Sequence, residues 1–223
     1  AGNKYHRFSE TYYQVRGHAP EPESIKYHLE KAVHLATSGR PGPVWLDLPA
    51  NIQNSRIDGN DLQGWTPEAA SVKYDQDLTE KVSEIIELLK ISKRPMVHVG
   101  QGVKLSGAVG DFTRFVEQQG LPFVTARNAN DIVATSHDLH VGRPGTFGQR
   151  GANFAVQNAD FYLAVGTRLS LPQTGYNSKQ FAPKAKRVMV DIDRAELDKP
   201  TLDMHVKIHA DAKAVSYTHL TLP

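Results

Sequence analysis

The turn at residues 100–102 offers the clearest chemistry in this sequence. It reads Gly-Gln-Gly and directly follows the apolar run Met96–Val99. In an open α/β sheet, ligands bind beyond the carboxyl ends of the strands, and glycines let a phosphate or ribose approach the backbone. The N-terminus of a following helix also favours an anion. We therefore predict that Gly100, Gln101 and Gly102 lie at a nucleotide-like binding site.

The same turn fails the glycine fingerprint of nicotinamide-dependent dehydrogenases, G-x-G-x-x-G. Gly100 and Gly102 fit, but residue 105 is leucine, and Gly120–Ala126 offers no acidic residue for a ribose hydroxyl. A dehydrogenase that binds NAD(P) is therefore an alternative that the motif disfavours. A non-catalytic nucleotide-binding or scaffold module is a second alternative.

Two further glycine turns carry arginines. The first spans residues 141–148 and precedes a predicted helix, and the second follows the apolar run Phe161–Val165. A guanidinium beside such a turn can bind an anionic group. The alternative for the first turn is a loop packed on its own sheet with its arginine solvated. The candidate contacts are Gly142, Arg143, Gly145, Arg150, Gly166 and Arg168.

Acidic residues follow the last two predicted strands. Asp191 and Ile192 close one of them, and Asp211 comes soon after the other. We treat these residues as candidate cofactor contacts. The simpler interpretation is helix capping, because Asp193 precedes a short helical pattern.

Three patterns that resemble metal or cofactor motifs are better explained as structural. Asp58-Gly59-Asn60 is not preceded by glycine and has no Asn-Asn pair downstream, so we interpret it as a turn. His137 and His140 supply only two imidazoles, which is too few for a metal site. His205 and His209 lie in a stretch that predicts a strand.

Apolar runs alternate with amphipathic stretches along most of the chain. This order, with nearly continuous apolar strands, predicts an α/β fold with a parallel sheet covered on both faces. Helices are predicted at Ser24–Ser38 with Ser24 as N-cap, from Asp77 to about Lys90, at Ala108–Gln119 and at Asn153–Asn158. Strands are predicted at Val44–Leu48, Met96–Val99, Phe123–Ala126, Phe161–Val165, Val188–Ile192 and Val206–His209.

Composition excludes several classes of protein. The 223 residues contain no cysteine, which rules out disulfides and thiolate chemistry, and a net charge of +2 without basic clusters indicates no nucleic-acid partner. No apolar run approaches the ~20 residues needed to cross a membrane. We therefore expect a soluble, cytoplasmic protein.

The string GRPGPVWLDLPANIQ, residues 39–53, combines a helix end, a turn, a strand and a second turn. It closely resembles the end of the pyrimidine-binding domain of thiamine-diphosphate enzymes of the acetolactate synthase group. The resemblance covers about residues 24–214 and implies a Rossmann-like central domain. It also places residues 100–102, the loop at 142–148, Gly166 and Arg168 at flavin contacts. By the same resemblance, the strand end Asp191–Ile192 faces the adenosine part of the nucleotide and Asp211 is a further acidic contact. Pro144 departs from the family, which has histidine there.

The resemblance also implies a domain organisation. Residues 1–53 would be the C-terminal part of the pyrimidine-binding domain, with 1–23 unassigned, and residues 54–76 a linker. Residues 77–214 would be the central domain. Residues 215–223 lack charge and period, and we interpret them as a non-native tail.

Thiamine-diphosphate chemistry is the activity that the resemblance implies. A 2-keto acid such as pyruvate is decarboxylated and its acyl unit passes to an acceptor carbonyl. Thiamine diphosphate and Mg²⁺ are the implied cofactors, and FAD is a further candidate. The catalytic glutamate and the diphosphate motif are expected outside this chain, so we expect it to be an inactive fragment of a homodimer or homotetramer. The strings at residues 142–160 and 166–177 are closer to relatives in sugar or surface-polysaccharide pathways, where the acceptor would be a keto-sugar.

Overall fold

The computed structural model describes residues 16–19, 21–67 and 74–215. The chain divides into two compact units, residues 1–73 and residues 74–223. The interpretations given above for residues 1–15 and 216–223 lie outside the described residues.

The described residues of the first unit form two α-helices, a 3-10 turn and a pair of parallel strands. Helix α1 spans Ile25–Thr37 after a 3-10 turn, β1 spans Arg16–His18, β2 spans Trp45–Asp47, and α2 spans Ala50–Gln53. Ser24 is at the predicted N-cap position, but its side chain accepts no hydrogen bond from the first turn of the helix and instead donates to the Glu21 carbonyl at 2.7 Å. Gly39 takes the left-handed φ of +58° predicted for the helix end.

Helix α1 has an apolar stripe that is less buried than its sequence pattern predicts. The stripe consists of Ile25, Leu29, Ala32, Val33 and Ala36. None of its residues is buried, and Leu29 and Val33 are 47% and 64% exposed. The described part of this unit therefore supplies too little surface to cover the stripe.

The second unit is built on a six-stranded parallel sheet. Its strands are β3 Pro95–Val99, β4 Phe123–Thr125, β5 His140–Gly142, β6 Phe161–Val165, β7 Lys186–Asp191 and β8 Val206–His209, in the order β5-β4-β3-β6-β7-β8. Every neighbouring pair is parallel, which confirms the predicted sheet. Strand β5 was predicted as part of a loop, because three residues ending in glycine give no strand period.

Helices cover both faces of this sheet, as predicted. They are α3 Leu78–Ile91, α4 Gln101–Leu105, α5 Val109–Gln119, α6 Arg150–Asn158, α7 Leu171–Thr174 and α8 Arg194–Asp198. On one face, α3 and α5 bury Val82, Ile85 and Phe112 against Val97 of β3. On the other face, α6 and α8 belong to the cluster that contains Met96. The alternation along β3 therefore divides the core into two layers.

Asp160, which directly precedes β6, links the amino-terminal ends of β3 and β6 by hydrogen bonds. Its carboxylate accepts hydrogen bonds from the Ser92 hydroxyl and from the N–H groups of Lys93 and Arg94, both at 2.9 Å. Burial opposes ionisation of this carboxyl, but these donors outweigh it and lower its pKa to about 2. The turn before β3 is thereby held to the start of β6.

We expect Asp160→Asn to lower the free energy of unfolding by about 1 to 2 kcal/mol at neutral pH, because the donors lose a charged acceptor. The folded-state pKa lies below the unfolded-state value, so this contribution is present above about pH 4 and is lost as the pH falls towards about 2. Urea unfolding from pH 7 to pH 2 measures it. Asp138→Asn, an exposed carboxylate, is the control, and a pH-independent difference would contradict the prediction.

Candidate functional site

The candidate site lies at the topological switch point of the sheet, between strands β3 and β6. Strand β3 is central, with β4 and β5 on one side and β6, β7 and β8 on the other. The chain therefore leaves β3 and β6 on opposite sides of the sheet. In open α/β sheets, ligands bind at the carboxyl ends of two such strands.

The two turns at this point are packed backbone against backbone. The Gly100 N–H donates to the Val165 carbonyl, and the Gly102 N–H donates to the Gly166 carbonyl, both at 2.9 Å. A Cβ on Gly100 would lie 2.2 Å from the Gly166 carbonyl oxygen, and Gly166 itself has φ +58°. The structure thus brings together three of the predicted glycines and gives them a packing role.

Gln101 presents an unsatisfied acceptor beside these turns. Its Oε1 is buried and has no hydrogen-bond partner within the described residues. A buried acceptor without a donor costs about 1 to 3 kcal/mol. A ligand with an N–H or O–H donor would satisfy it, so this atom fits a nucleotide-like group.

The arginine loop follows β5, and we use that name for residues 143–149. Asn153 fixes it by accepting from the Gly145 N–H at 2.7 Å and donating to the Gly145 carbonyl at 3.1 Å. The Gln149 Oε1 accepts from the Arg143 N–H, and it would lie 2.2 Å from a Cβ on Gly142. The Arg143 side chain is exposed, and no carboxylate is recorded within ion-pair distance of it among the described residues. The loop is therefore rigidly held with a free cation.

Arg150 adds a second cation at the start of α6. Its guanidinium lies over the Phe154 ring, 5.3 Å from the centroid, and has no carboxylate partner recorded in the described part of the chain. Arg168 differs, because its Nε lies 3.2 Å from a carboxylate oxygen of Glu196. Lys199 also binds Glu196, at 2.9 Å, so the charge of Arg168 is partly compensated.

The acidic residues lie at the ends of β7 and β8. Asp191 is only 7% exposed, and its Oδ1 accepts from the Asp193 N–H at 2.9 Å. Asp193 caps α8 by accepting from the Ala195 N–H, which confirms the capping interpretation for that residue. The Ile192 carbonyl is bound by His209, and Asp211 accepts from the Lys213 N–H at 2.8 Å.

All the predicted site residues therefore lie along one edge of the sheet, after the carboxyl ends of β3, β5, β6, β7 and β8. In strand order they are Gly142, Arg143, Gly145, Gly100, Gln101, Gly102, Gly166, Arg168, Asp191, Ile192 and Asp211. This edge carries arginines on the β5 side that have no carboxylate partner among the described residues, and carboxylates on the β7 and β8 side.

A pocket of about 580 Å³ opens between the arginine loop, α6 and the turn around α7. Gly145 and Arg150 line it, as do Asn153, Phe154 and Gln173. Its size is that of small-molecule sites. Neither Asn153 nor Gln173 is part of a motif that indicates a binding site. For Gln173, the sequence does contain one signal, the Ser-x-x-Gln spacing from Ser170, which forms a capping box.

A buried polar pair lies beneath the turn around α7. The His98 Nδ1 is 2.5 Å from the Tyr162 hydroxyl, and both side chains are fully buried. Burial lowers the pKa of His98 to about 3 and raises that of Tyr162 well above its usual 10. Both groups are therefore neutral at physiological pH. The sequence gives no sign of this pair, because each residue lies within an otherwise apolar strand and no motif connects them.

The four histidines considered as metal ligands have partners within the protein. His137 contacts Glu117 and His140 contacts Thr125, both at 3.2 Å, while His205 accepts from the Arg187 N–H. Among the residues that the structure describes, no group of three His, Cys, Asp or Glu side chains could hold a metal ion. Within the same residues, no helix has the length and apolar character needed to cross a bilayer.

A parallel sheet with helices on both faces, whose strand order reverses at β3 and β6, defines a Rossmann-like class of α/β domain. The chain belongs to the family of thiamine pyrophosphate enzyme central domains, whose family model matches residues 82–217. This confirms the fold and the family expected from the sequence.

Curated relatives extend the similarity over most of the chain. It is 36% identical to the acetolactate synthase large subunit of Corynebacterium glutamicum, covering 87% of this chain and 30% of that protein. It is 34% identical to a probable acetolactate synthase large subunit of Methanocaldococcus jannaschii, covering 87% and 33%. It is 32% identical to the isozyme 1 large subunit of Escherichia coli, covering 86% and 33%. The chain thus spans about a third of the length of these relatives.

Proposed function

We propose that this chain is part of a thiamine-diphosphate-dependent enzyme that decarboxylates a 2-keto acid such as pyruvate and transfers the acyl unit to an acceptor carbonyl. The observation that carries the proposal is the family match over residues 82–217, together with relatives that are acetolactate synthase large subunits. Thiamine diphosphate, when bound, supplies the electron sink for decarboxylation.

The described residues do not fit the diphosphate and magnesium site of thiamine diphosphate. The sequence has no Gly-Asp-Gly string and no Asn-Asn pair. The described side chains also form no group of three metal-binding residues. We therefore assign no catalytic step to them, and we place the Mg²⁺ in the whole enzyme.

The described residues do fit a nucleotide with a diphosphate, and we propose FAD for the carboxyl edge. The Gln101 Oε1 would accept from the nucleotide, and the unpaired guanidinium groups of Arg143 and Arg150 would bind its phosphates. Asp191 would accept from a ribose hydroxyl. The pocket beside Gly145, with the Phe154 ring in its lining, would contact an isoalloxazine ring.

The finer parts of the proposal follow the same family. Residues 1–53 would be the end of a pyrimidine-binding domain, residues 77–214 the central domain and residues 215–223 a non-native tail. The whole enzyme would be a cytoplasmic homodimer or homotetramer. Light scattering of the full-length protein measures the oligomeric state, and a monomer would refute that part.

Two assays test the activity and the nucleotide site separately. We expect the full-length protein to release CO₂ from pyruvate only with thiamine diphosphate and Mg²⁺, whereas the 223-residue chain alone releases none. Decarboxylation by this chain alone would contradict the fragment hypothesis. A flavin fluorescence titration of the chain should show FAD binding, with ADP as competitor. Binding of NADH in place of FAD would favour a dehydrogenase.

A further inference from the structure

A continuous polar path connects the sheet core to the pocket. It starts at the Tyr162 hydroxyl, passes through the His98 ring and reaches the Gln173 amide, whose Nε2 lies 3.3 Å from the His98 Nε2. His98 and Tyr162 are on the adjacent strands β3 and β6. Gln173 lines the pocket. The path therefore joins two fully buried side chains to a residue on the pocket surface.

The hydrogen-bond partners define where the proton of His98 lies. The Gln173 Oε1 accepts from the Ser170 N–H at 3.1 Å, so its Nε2 is the end that faces His98. An amide NH₂ can only donate, and His98 Nε2 is therefore the acceptor. The proton is on Nδ1, which donates to the Tyr162 hydroxyl. Each buried nitrogen of the ring thus has its own partner.

The pocket has two walls, the arginine loop on one side and the turn around α7, which includes Gln173, on the other. The polar path holds the second wall against the sheet. His98 lies within the apolar layer formed by residues such as Met96, Val124 and Met189, where a polar group without a partner is costly. Any movement of Gln173 away from the sheet would leave the His98 Nε2 unpaired. The turn around α7 is therefore fixed relative to β3.

The same turn positions the arginine loop. The Thr146 N–H donates to the Pro172 carbonyl at 2.8 Å, and a Cβ on Gly145 would lie 2.6 Å from that oxygen. Displacement of Pro172 would therefore displace the loop that carries Arg143. The two walls of the pocket move together.

We propose that His98 and Tyr162 are positioning residues, which act through Gln173 to set the relative placement of the two pocket walls and hence the affinity for a phosphate-bearing ligand. The identity of that ligand, FAD, rests on the proposed function. Neither residue touches the ligand. Their effect is transmitted through the Gln173–His98 contact and the Thr146–Pro172 hydrogen bond.

The experiment uses the whole 223-residue chain and FAD as the probe. Tyr162→Phe removes the hydroxyl beside His98 without altering a side chain that lines the pocket. Met189→Leu is the matched control, because it changes an equally buried side chain of the same layer for which no hydrogen bond to His98 is recorded. Histidine ¹⁵N spectra of the wild type should show the proton of His98 on Nδ1.

We expect Tyr162→Phe to weaken FAD binding by about three- to tenfold and to accelerate hydrogen exchange at the Thr146 amide. Met189→Leu should leave both within about twofold of the wild type. Equal effects in the two variants, unchanged exchange at Thr146, or a proton on Nε2 of His98 would overturn the proposal. Faster exchange with unchanged FAD affinity would likewise overturn it.

Failure of the proposed function would look different. A wild-type chain that does not bind FAD would refute the flavin assignment. The exchange rate of the Thr146 amide in Tyr162→Phe, compared with that in Met189→Leu, would then decide the positioning role by itself.

Discussion

Replacing Gly100 with alanine is expected to lower the free energy of unfolding of the second unit by about 3 kcal/mol and its Tm by roughly 10 °C. The new Cβ would lie 2.2 Å from the Gly166 carbonyl oxygen and 2.5 Å from the Thr167 Cα. Both of these are backbone atoms, which cannot move aside without breaking the contact between β3 and β6. Urea unfolding of the 223-residue chain, monitored by circular dichroism, measures the change.

Gly110→Ala is the control for this experiment. Gly110 is in α5, and a Cβ there would meet no atom within 4 Å. Alanine has the higher helix propensity, so we expect this variant to be unchanged or stabilised by up to about 1 kcal/mol. Similar stability of both variants would show that the two turns are not packed as described.

The double variant Arg143→Gln and Arg150→Gln is expected to weaken FAD binding by about 10- to 100-fold. Arg150 lines the pocket and Arg143 lies on the loop beside it, and neither has a carboxylate partner among the described residues, so their charge is available to a diphosphate. The loss should be larger at low salt, because screening weakens the attraction to the phosphates. Flavin fluorescence titrations at two salt concentrations measure both effects.

Arg114→Gln provides the matched control. Arg114 is an exposed arginine on α5, and its guanidinium lies 3.5 Å from the Asp111 carboxylate. The substitution therefore removes a positive charge that is not part of the proposed phosphate site. We expect its FAD affinity to stay within about twofold of the wild type. Equal losses in the double variant and in Arg114→Gln would indicate a general charge effect and would contradict a specific phosphate site.

The sheet was predictable because its strands are buried on both faces. Phe161–Val165 has the predicted bounds because its continuous apolar run is buried at every residue. Val206–His209 also has the predicted bounds, and there apolar residues alternate with Lys207 and His209. Helix α6 starts three residues earlier than predicted, at Arg150, because its first turn is polar. The strand β5 was missed for the reason given above. It is a short edge strand, and its pairing with β4, rather than its own residues, defines it.

The candidate site was predictable only as a set of positions. The sequence placed Gly100, Gly166 and Asp191 at strand ends, and parallel strands bring those ends to one edge. It could not show that Gly100 and Gly166 are packed against each other. Nor could it show that Arg168 forms an ion pair with Glu196, whereas Arg143 has no carboxylate partner among the described residues. These facts depend on strand order and on loop paths.

The amino-acid sequence by itself determined the alternation of strands and helices, the parallel sheet and the family. These follow from local periodicity and from strings of neighbouring residues, which need no knowledge of distant contacts. Only the tertiary structure decided which side chains meet. The path from Tyr162 through His98 to Gln173 joins residues 64 and 75 positions apart in the chain. No local pattern records such a contact, because it exists only once β3 and β6 are paired and the turn around α7 closes over them.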